Sequence, residues 1–338
     1  MADRVRWGIL GAGFIADYQF IPAVKASPRG EVVAVAARDA DRAAAFAQRH
    51  AIPRSVAGYE RLISDPDVEA VYVALPNSAH AEWTMAAAAA GKHVICEKPL
   101  ARDAREAAVV VEACARAGVA LAECFVYRYH PQTLRIGRWL REGAIGEVRT
   151  VHANFHFTMD AERRRRDIRM SAPLAGGALM DLGCYPISWL RFVFGEEPES
   201  AAARAVWDPE GGVDTQMVGM LSFSAGRAGT FDCSFDCDQD LSTTIVGTKG
   251  RIVVAQPYHP RGSGATVRLL RRGLPEEVHV DAKDEPAFLA AVEAFHATVR
   301  DGAPLRVPSR DGVDNMAAID AVRASAAAGG ALRPVSRP

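Results

Sequence analysis

Among the six cysteines of this 338-residue chain, at positions 96, 114, 124, 184, 233 and 237, there is no CxxC pair. With no secretion leader at its start, the chain is expected to keep these as reduced, mostly buried thiols and not as a disulfide framework. Cys233 and Cys237 have no histidine or third cysteine at a supporting spacing, so no metal site is expected there. Net charge is also nearly absent: 40 Lys and Arg stand against 41 Asp and Glu. That balance offers no overall positive field to nucleic acid or to an anionic membrane, and leaves small molecules as the expected partners. The opening residues, charged at Asp3, Arg4 and Arg6, lack the apolar core of a signal peptide, which predicts a cytoplasmic protein. No repeat or low-complexity segment occurs beyond an alanine enrichment that reflects helix propensity.

What is present is ordinary globular composition, 49% hydrophobic and 24% charged, in a length that predicts two domains at roughly 150 residues each. Over residues 1–124 apolar strand runs alternate with alanine-rich helical stretches, the pattern of a parallel sheet covered on both faces. The strands are expected at Val5–Leu10, Val32–Ala37, Ala70–Leu75, His93–Cys96 and Val119–Glu123, and the helices at Ala16–Ala26, Ala40–Arg49, Ala79–Ala90 and Ala104–Ala117. From about Gly146 longer alternating segments appear, Val148–Phe157, Met217–Phe223, Gly229–Phe235 and Thr243–Val254, separated by turn sequences; these read as mostly antiparallel sheet. Helical patterns return at Glu285–Arg300 and Val313–Ala328. The expected organisation is α/β: a doubly wound Rossmann domain over 1–124 and an α+β domain with a large open-faced sheet over 125–338, its helix near 313–328 packing back on the first domain.

Gly11-Ala12-Gly13-Phe14-Ile15-Ala16 reads GxGxxA at a strand-to-helix junction. Gly11 permits the tight turn, Gly13 lets backbone approach a pyrophosphate, and Ala16 keeps the helix close to the sheet, while the helix N-terminus offers unpaired N–H groups. At the end of the second strand, where an acid would bind the adenosine ribose, stands Ala37, followed by Arg38. A guanidinium there suits the 2′-phosphate of NADP, favouring it over NAD. Asp39 has two readings: N-cap of the helix beginning at Ala40, or the missing acid turned inward. Cys96-Glu97-Lys98-Pro99 closes another strand at the carboxyl edge, where open parallel sheets bind ligands. A lysine there can orient a hydroxyl, stabilise an alkoxide and relay a proton.

These two motifs, followed by Gly176-Gly177-Ala178-Leu179-Met180-Asp181-Leu182-Gly183-Cys184-Tyr185, give the chain a resemblance, over nearly its whole length, to the glucose–fructose oxidoreductase, inositol dehydrogenase and rhizopine catabolism family. The resemblance implies an N-terminal Rossmann domain, a C-terminal domain with an open-faced sheet, and NAD(P)-dependent oxidation or reduction of sugars, cyclitols and related diols. It implies cofactor contacts at Gly11, Gly13, Phe14 and Ile15, at Ala37 and Arg38, at Leu75, Pro76, Asn77 and His80, and at Glu97 and Lys98. Lys98 and Asp181 match the family's lysine and aspartate, and Tyr185 stands where many inositol-type members have histidine. Tyrosine there resembles the branch of sugar ketoreductases, xylose dehydrogenases and dimeric dihydrodiol dehydrogenase, which leans toward NADP. Val35 to Asp39 is similar to the dihydrodiol enzyme; Asp167-Ile168-Arg169 and Tyr127 to Pro131 look more like the xylose enzymes.

Asp181 and Tyr185 are four apart, which on a helix places both on one face; Gly183 and Pro186 predict a kink between or beside them. In this reading Tyr185 donates the proton to the nascent alkoxide, Lys98 favours the tyrosinate and carries the proton onward, and Asp181 positions the substrate or the lysine. Substrate contacts are expected at Arg128, Tyr129, His130, Asp167, Arg169, Asp181 and Tyr185. Two further features have plainer readings. His152, Asn154 and His156 alternate with apolar residues and read as the polar face of a strand, not a metal pair. The five arginines in the run Glu162 to Arg169 read as solvated charge before a phosphate clamp. The competing functions are a trans-dihydrodiol dehydrogenase, an NAD-dependent glycosidase of the same fold, and a dinucleotide-binding regulator, the last disfavoured because Lys98 and Tyr185 are both present. A homodimer or homotetramer is expected from the open sheet face.

Overall fold

The computed structural model describes residues 4–260, 265–281 and 287–338. The chain divides into two compact units, Met1–Val126 with Pro286–Val313, and Tyr127–Glu285 with Asp314–Pro338. The first unit thus takes in 286–313, a stretch that the change of texture near Gly146 assigns to the second domain.

The first unit is built on β1 (Val5–Leu10), α1 (Ile21–Ala26), β2 (Gly30–Ala37), α2 (Ala40–His50), β3 (Arg54–Ala57), α3 (Tyr59–Ile63), β4 (Ala70–Val73), α4 (His80–Ala89), β5 (His93–Cys96), α5 (Ala104–Arg116) and β6 (Leu121–Glu123). The six strands are all parallel, in the order β3-β2-β1-β4-β5-β6. Strands covered on both faces need apolar side chains on both, and β4, Ala-Val-Tyr-Val, is buried at every position. The short β3 and α3 escaped the sequence reading because neither is long enough to show a period. Under β1, Trp7 is fully buried; it meets Phe20 edge-on at 5.0 Å, and Phe20 stacks on Tyr72 at 3.7 Å. The helix Ala287–Asp301 joins this core through Phe295, 5.5 Å from the Trp7 ring, and His296, whose Nε2 accepts from Trp7 Nε1 at 2.9 Å.

The second unit contains α6 (Pro131–Arg141), β7 (Val148–His156), α7 (Ala161–Arg164), α8 (Cys184–Phe194), β8 (Ser200–Trp207), β9 (Asp214–Ser222), β10 (Ala228–Ser234), β11 (Thr243–Gly247), β12 (Gly250–Val254), β13 (Thr266–Arg271) and β14 (Glu277–Val280). After α9 (Ala287–Asp301, the helix at Trp7) come α10 (Arg310–Ala327) and β15 (Arg333–Pro334). The nine strands run β14-β13-β12-β11-β7-β10-β9-β8-β15. All pairs are antiparallel except β7 with β10, which lie parallel from Thr150↔Ala228 to His156↔Ser234. On β7, Val151, Ala153 and Phe155 are buried while His152 is exposed, so one face is core and the other open. α8 covers the core face. α10 adds to it on this unit: Ser325 Oγ accepts from Ala203 N at 2.9 Å, and Asn315 Nδ2 donates to the Cys184 carbonyl at 3.3 Å. Most of α10 therefore falls in the second unit.

Candidate active site

The turn after β1 is held by backbone. Gly11 N donates to Ala36 O at 3.0 Å, and Ala74 N donates to Leu10 O at 2.9 Å, so the ends of β2 and β4 meet at this residue. Gly11 has φ +102°, and a Cβ there would lie 2.4 Å from Ala74 O; only glycine fits. Gly13 is different, since its Cβ would meet only Ala74 O at 3.8 Å. The protein itself does not need glycine at that position, whereas a pyrophosphate lying against the backbone does. Ala16 is fully buried and opens a π-helical turn, Ala16–Phe20, closed by Ile21 N donating to Ala16 O. Phe14 is 73% exposed.

At the end of β2, Ala37 is buried and Arg38 exposed. Asp39 is the cap of α2: its Oδ1 accepts from Arg42 N at 2.7 Å, which commits the carboxylate to the helix and not to a ribose. Sequence reasoning missed Arg42, four residues beyond Arg38, whose Nη2 donates to Ala12 O at 2.9 Å. The guanidinium groups of Arg38 and Arg42 both act on the Tyr59 hydroxyl, drawing its pKa down against the larger upward push of burial. A 2′-phosphate suits two such charges beside the glycine turn.

The carboxyl end of β5 is built around Glu97. Tyr72 Oη donates to Glu97 Oε1 at 2.5 Å, and Lys98 N donates to Glu97 Oε2 at 3.3 Å. Burial raises the Glu97 pKa, while the Lys98 charge and the Tyr72 hydroxyl pull it back. The Lys98–Pro99 peptide is cis. His80 is fully buried, its ring nitrogens 2.7 Å from Pro99 O and 2.9 Å from Leu75 O. It ties the segment after β4 to the segment after β5. Burial lowers its pKa, the two carbonyls act the other way, and the Lys98 charge adds to the lowering. Pro76 precedes a single 3-10 turn, Asn77–Ala79, so Leu75, Pro76 and Asn77 lie at the same sheet edge as Gly11 and Lys98.

In the second unit the Gly176-Gly177 pair exists because of its neighbours. A Cβ on Gly176 would sit 2.2 Å from Arg169 O; one on Gly177, at φ +109°, would sit 2.3 Å from Asp214 Oδ1. Asp214 Oδ2 accepts from Leu179 N at 2.6 Å, starting a π-helical turn, Leu179–Gly183, in which Cys184 N donates to Leu179 O. Burial pushes the Asp214 carboxyl up to about 6. The irregularity expected here takes the form of the π turn: Gly183 is helical at φ −62°, ψ −25°, and the wider turn precedes Pro186, which lies in the first turn of α8 where a missing N–H costs little.

Asp181 Oδ2 accepts from Arg169 Nε at 2.6 Å. Tyr185, buried at 6% exposure, sits among rings: Phe155 at 5.4 Å, Tyr258 at 5.5 Å, Tyr127 at 6.3 Å and His259 at 5.3 Å. Tyr258 and His259 went unnoticed in the sequence, where a Tyr-His pair between Pro257 and Pro260 marks only a turn. His130 is fully buried, and its Nδ1 accepts from Gln132 N at 3.1 Å, which makes it the cap of α6. Tyr129 is buried too, and the Arg128 guanidinium lies over the Phe192 ring at 4.8 Å.

The arginine run is answered from within. Arg163 Nε donates to Asp167 Oδ2 at 3.0 Å, and Arg164 donates to Met159 O, Phe235 O and the Asp236 carboxylate. On the open sheet face His152 Nδ1 is 2.7 Å from Thr230 Oγ1, and His156 Nε2 is 2.5 Å from Asp232 Oδ2. None of the six cysteines forms a disulfide. Among the described residues no three His, Cys, Asp or Glu side chains gather as a metal cluster, and no helix is long and apolar enough to cross a membrane.

Residues 5–125 match the family described as "Oxidoreductase family, NAD-binding Rossmann fold", and residues 133–253 match the "GFO/IDH/MocA C-terminal domain". The chain is 38% identical over 326 residues to D-xylose 1-dehydrogenase (NADP(+)) 2 of Haloferax volcanii, covering 96% of this chain and 98% of that protein. It is 38% identical over 258 residues to trans-1,2-dihydrobenzene-1,2-diol dehydrogenase of Danio rerio, covering 75% of each. Its fold superposes with a TM-score of 0.88 on a 3-ketoreductase from Actinomadura kijaniata solved in complex with NADP and TDP-benzene, at 31% identity over 95% of this chain and 98% of that one. The glycine turn, the strand-edge lysine, the Asp181–Tyr185 helix and a relative alike over nearly its whole length agree: the chain belongs to the Gfo/Idh/MocA family of oxidoreductases with an NAD-binding Rossmann fold.

Proposed function

We propose that the protein is an NADP-dependent dehydrogenase or reductase of a sugar or sugar-derived alcohol or ketone. The observation that carries this is the common carboxyl edge of one parallel sheet, which presents Gly11 and Gly13, the Arg38–Arg42 pair and Lys98. The relatives named for NADP and for sugar substrates support the same choice. When bound, the dinucleotide supplies the hydride acceptor or donor. The protein's part is to hold the pyrophosphate at the Gly13 backbone, to pair the 2′-phosphate with Arg38 and Arg42, and to manage a proton. Lys98, with Glu97 fixing its backbone, stabilises negative charge on the reacting oxygen and passes the proton on. Tyr185 gives that oxygen its proton in reduction and takes it in oxidation, and Asp181 holds a substrate hydroxyl. Assembly through the open face of the second sheet is supported by its exposed Val206 and Val218, and a reducing, cytoplasmic setting by cysteines that form no disulfide.

The test is a parallel screen of NADP and NAD against pentoses, hexoses, inositols, ketosugars and cyclic diols at the reduced-nicotinamide absorbance, beside a nitrophenyl glycoside. Turnover of nicotinamide with a free sugar, faster with NADP, is expected. Release of nitrophenol with no net nicotinamide change would replace this reading with glycoside cleavage.

A further inference from the structure

The side chain of Arg169 is shared between two carboxylates. Its Nε donates to Asp181 Oδ2 at 2.6 Å, and its Nη1 lies 3.2 and 3.3 Å from the two oxygens of Asp167. Its main chain is committed too: Arg169 N donates to Asp167 Oδ1 at 3.0 Å, and its carbonyl accepts from Gly177 N at 2.8 Å. The turn that leads into the Asp181 helix is therefore folded onto Arg169, and Gly176 is glycine because that carbonyl stands where its Cβ would be. Arg163 also pairs with Asp167, so charges alternate Arg163, Asp167, Arg169, Asp181 along one line of ion pairs.

We propose that Arg169 is a positioning residue: it holds the Asp181 carboxylate in place as an anion, and Asp167 holds Arg169. A guanidinium is a planar fork whose edges each satisfy one carboxylate. With one edge on Asp181 and another on Asp167, Arg169 acts on the substrate only through Asp181, and the substrate contacts read from the sequence at Asp167 and Arg169 become a support for the third. The mutual attraction favours the charged forms of Asp167 and Arg169: against the upward push of burial, the Arg169 backbone bond and charge and the side-chain bonds of Arg163 and Arg169 together draw Asp167 below the usual carboxylate range, and Arg169 is raised, first by Asp181. The elements packed against residues 179–183 are α8, β7, β9 and β10. Their charged groups are engaged elsewhere: Arg191 with Glu197, Arg149 with Glu147, His156 with Asp232, and Asp214 with Leu179 N. His152 is bonded to Thr230, and on α10 Arg323 lies on Met180 Sδ.

This inference rests on Asp181 serving the reaction, and the experiment separates the two. Arg169→Gln, Arg169→Lys, Asp167→Asn and Asp181→Asn are made in the full chain and assayed with NADP and the best substrate of the screen. Arg169→Gln is expected to lose about a hundredfold in kcat with KM changed by less than about threefold, the cost of a misplaced group. Arg169→Lys recovers roughly tenfold of that because the charge remains while the fork is lost. Asp167→Asn, which leaves Arg169 in place and serves if the glutamine variant does not fold, loses about tenfold in the same sense. In cofactor-free protein with carbon-13-labelled aspartate, the Asp181 titration, identified by its loss in Asp181→Asn, moves up by about 2 units in Arg169→Gln. A raised KM with preserved kcat, a lysine variant no better than glutamine, or an unmoved Asp181 titration overturns the proposal. Normal turnover in Asp181→Asn instead removes Asp181 from the site. An impaired Asp181→Asn beside a normal Arg169→Gln leaves Asp181 its role and sinks the proposal alone.

Discussion

His296 sits in the first unit with both ring nitrogens assigned by their partners. The indole N–H of Trp7 can only donate, so Nε2 accepts, and the proton on Nδ1 goes to Ser27 Oγ at 3.1 Å. The ring is neutral, and burial with the nearby charges of Arg29 and Arg300 lowers its pKa to about 4. An unfolded histidine titrates near 6.5, so the unfolded chain binds more protons between those values. Stability is intact above about pH 6.5 and falls toward pH 4, by about 3 kcal/mol from this residue. Denaturant titrations at pH 7 and pH 4 should show a smaller acid loss in His296→Gln than in wild type; equal losses would rule the group out. Asp214 has the opposite sign. Its carboxyl, pushed up to about 6, binds its proton more tightly folded than unfolded. Its contribution is therefore full below about pH 4 and lost as pH rises through 6. Asp214→Asn should gain on wild type by up to about 3 kcal/mol between pH 4 and pH 7, and a constant difference across that range would contradict the assignment.

At the scale of elements, α2 separates two roles that the sequence left open for Asp39. As a cap, its loss in Asp39→Ala costs about 1 kcal/mol of stability and leaves the ratio of NADP to NAD turnover unchanged. A collapse of the NAD rate with stability intact would mean that the carboxylate serves the ribose instead. Where a strand or helix carried its own period, its place was legible: β1 and β5 match their expected bounds residue for residue, α2 and α5 differ by one residue at one end, and α4 by one residue at each end. What could not be read is what tertiary contact decides. β8, Ser-Ala-Ala-Ala-Arg-Ala-Val-Trp, is alanine-rich and helix-prone by composition, and it is a strand because β9 and β15 pair with it. The parallel pairing of β7 with β10 has no local signal, since both strands alternate as antiparallel ones do. The two π turns, at Ala16–Phe20 and Leu179–Gly183, fall in the two helices that the motifs had marked, where the sequence shows only helical spacing. The candidate site was legible in the same proportion: Lys98 and the glycine turn through position, Asp181 and Tyr185 through family likeness. The Arg169–Asp181 pair and the His259 ring beside Tyr185 depend on a folded turn and on a distant segment.

At the scale of the molecule, Lys98 belongs to the first unit and Tyr185 to the second, and in the proposed function both take part in moving the proton. Groups that work as a unit are not additive, so Lys98→Ala with Tyr185→Phe should be little worse than the poorer single variant. In the proposed function cofactor binding depends instead on the glycine turn and the two arginines of the first unit. The most direct test is therefore the turnover of Lys98→Ala, measured by nicotinamide absorbance, with NADPH binding followed separately by fluorescence. The expected result is a fall in kcat of at least about a hundredfold, the low end for general acid–base help, with cofactor affinity nearly unchanged. Near-normal turnover in that variant would contradict the account.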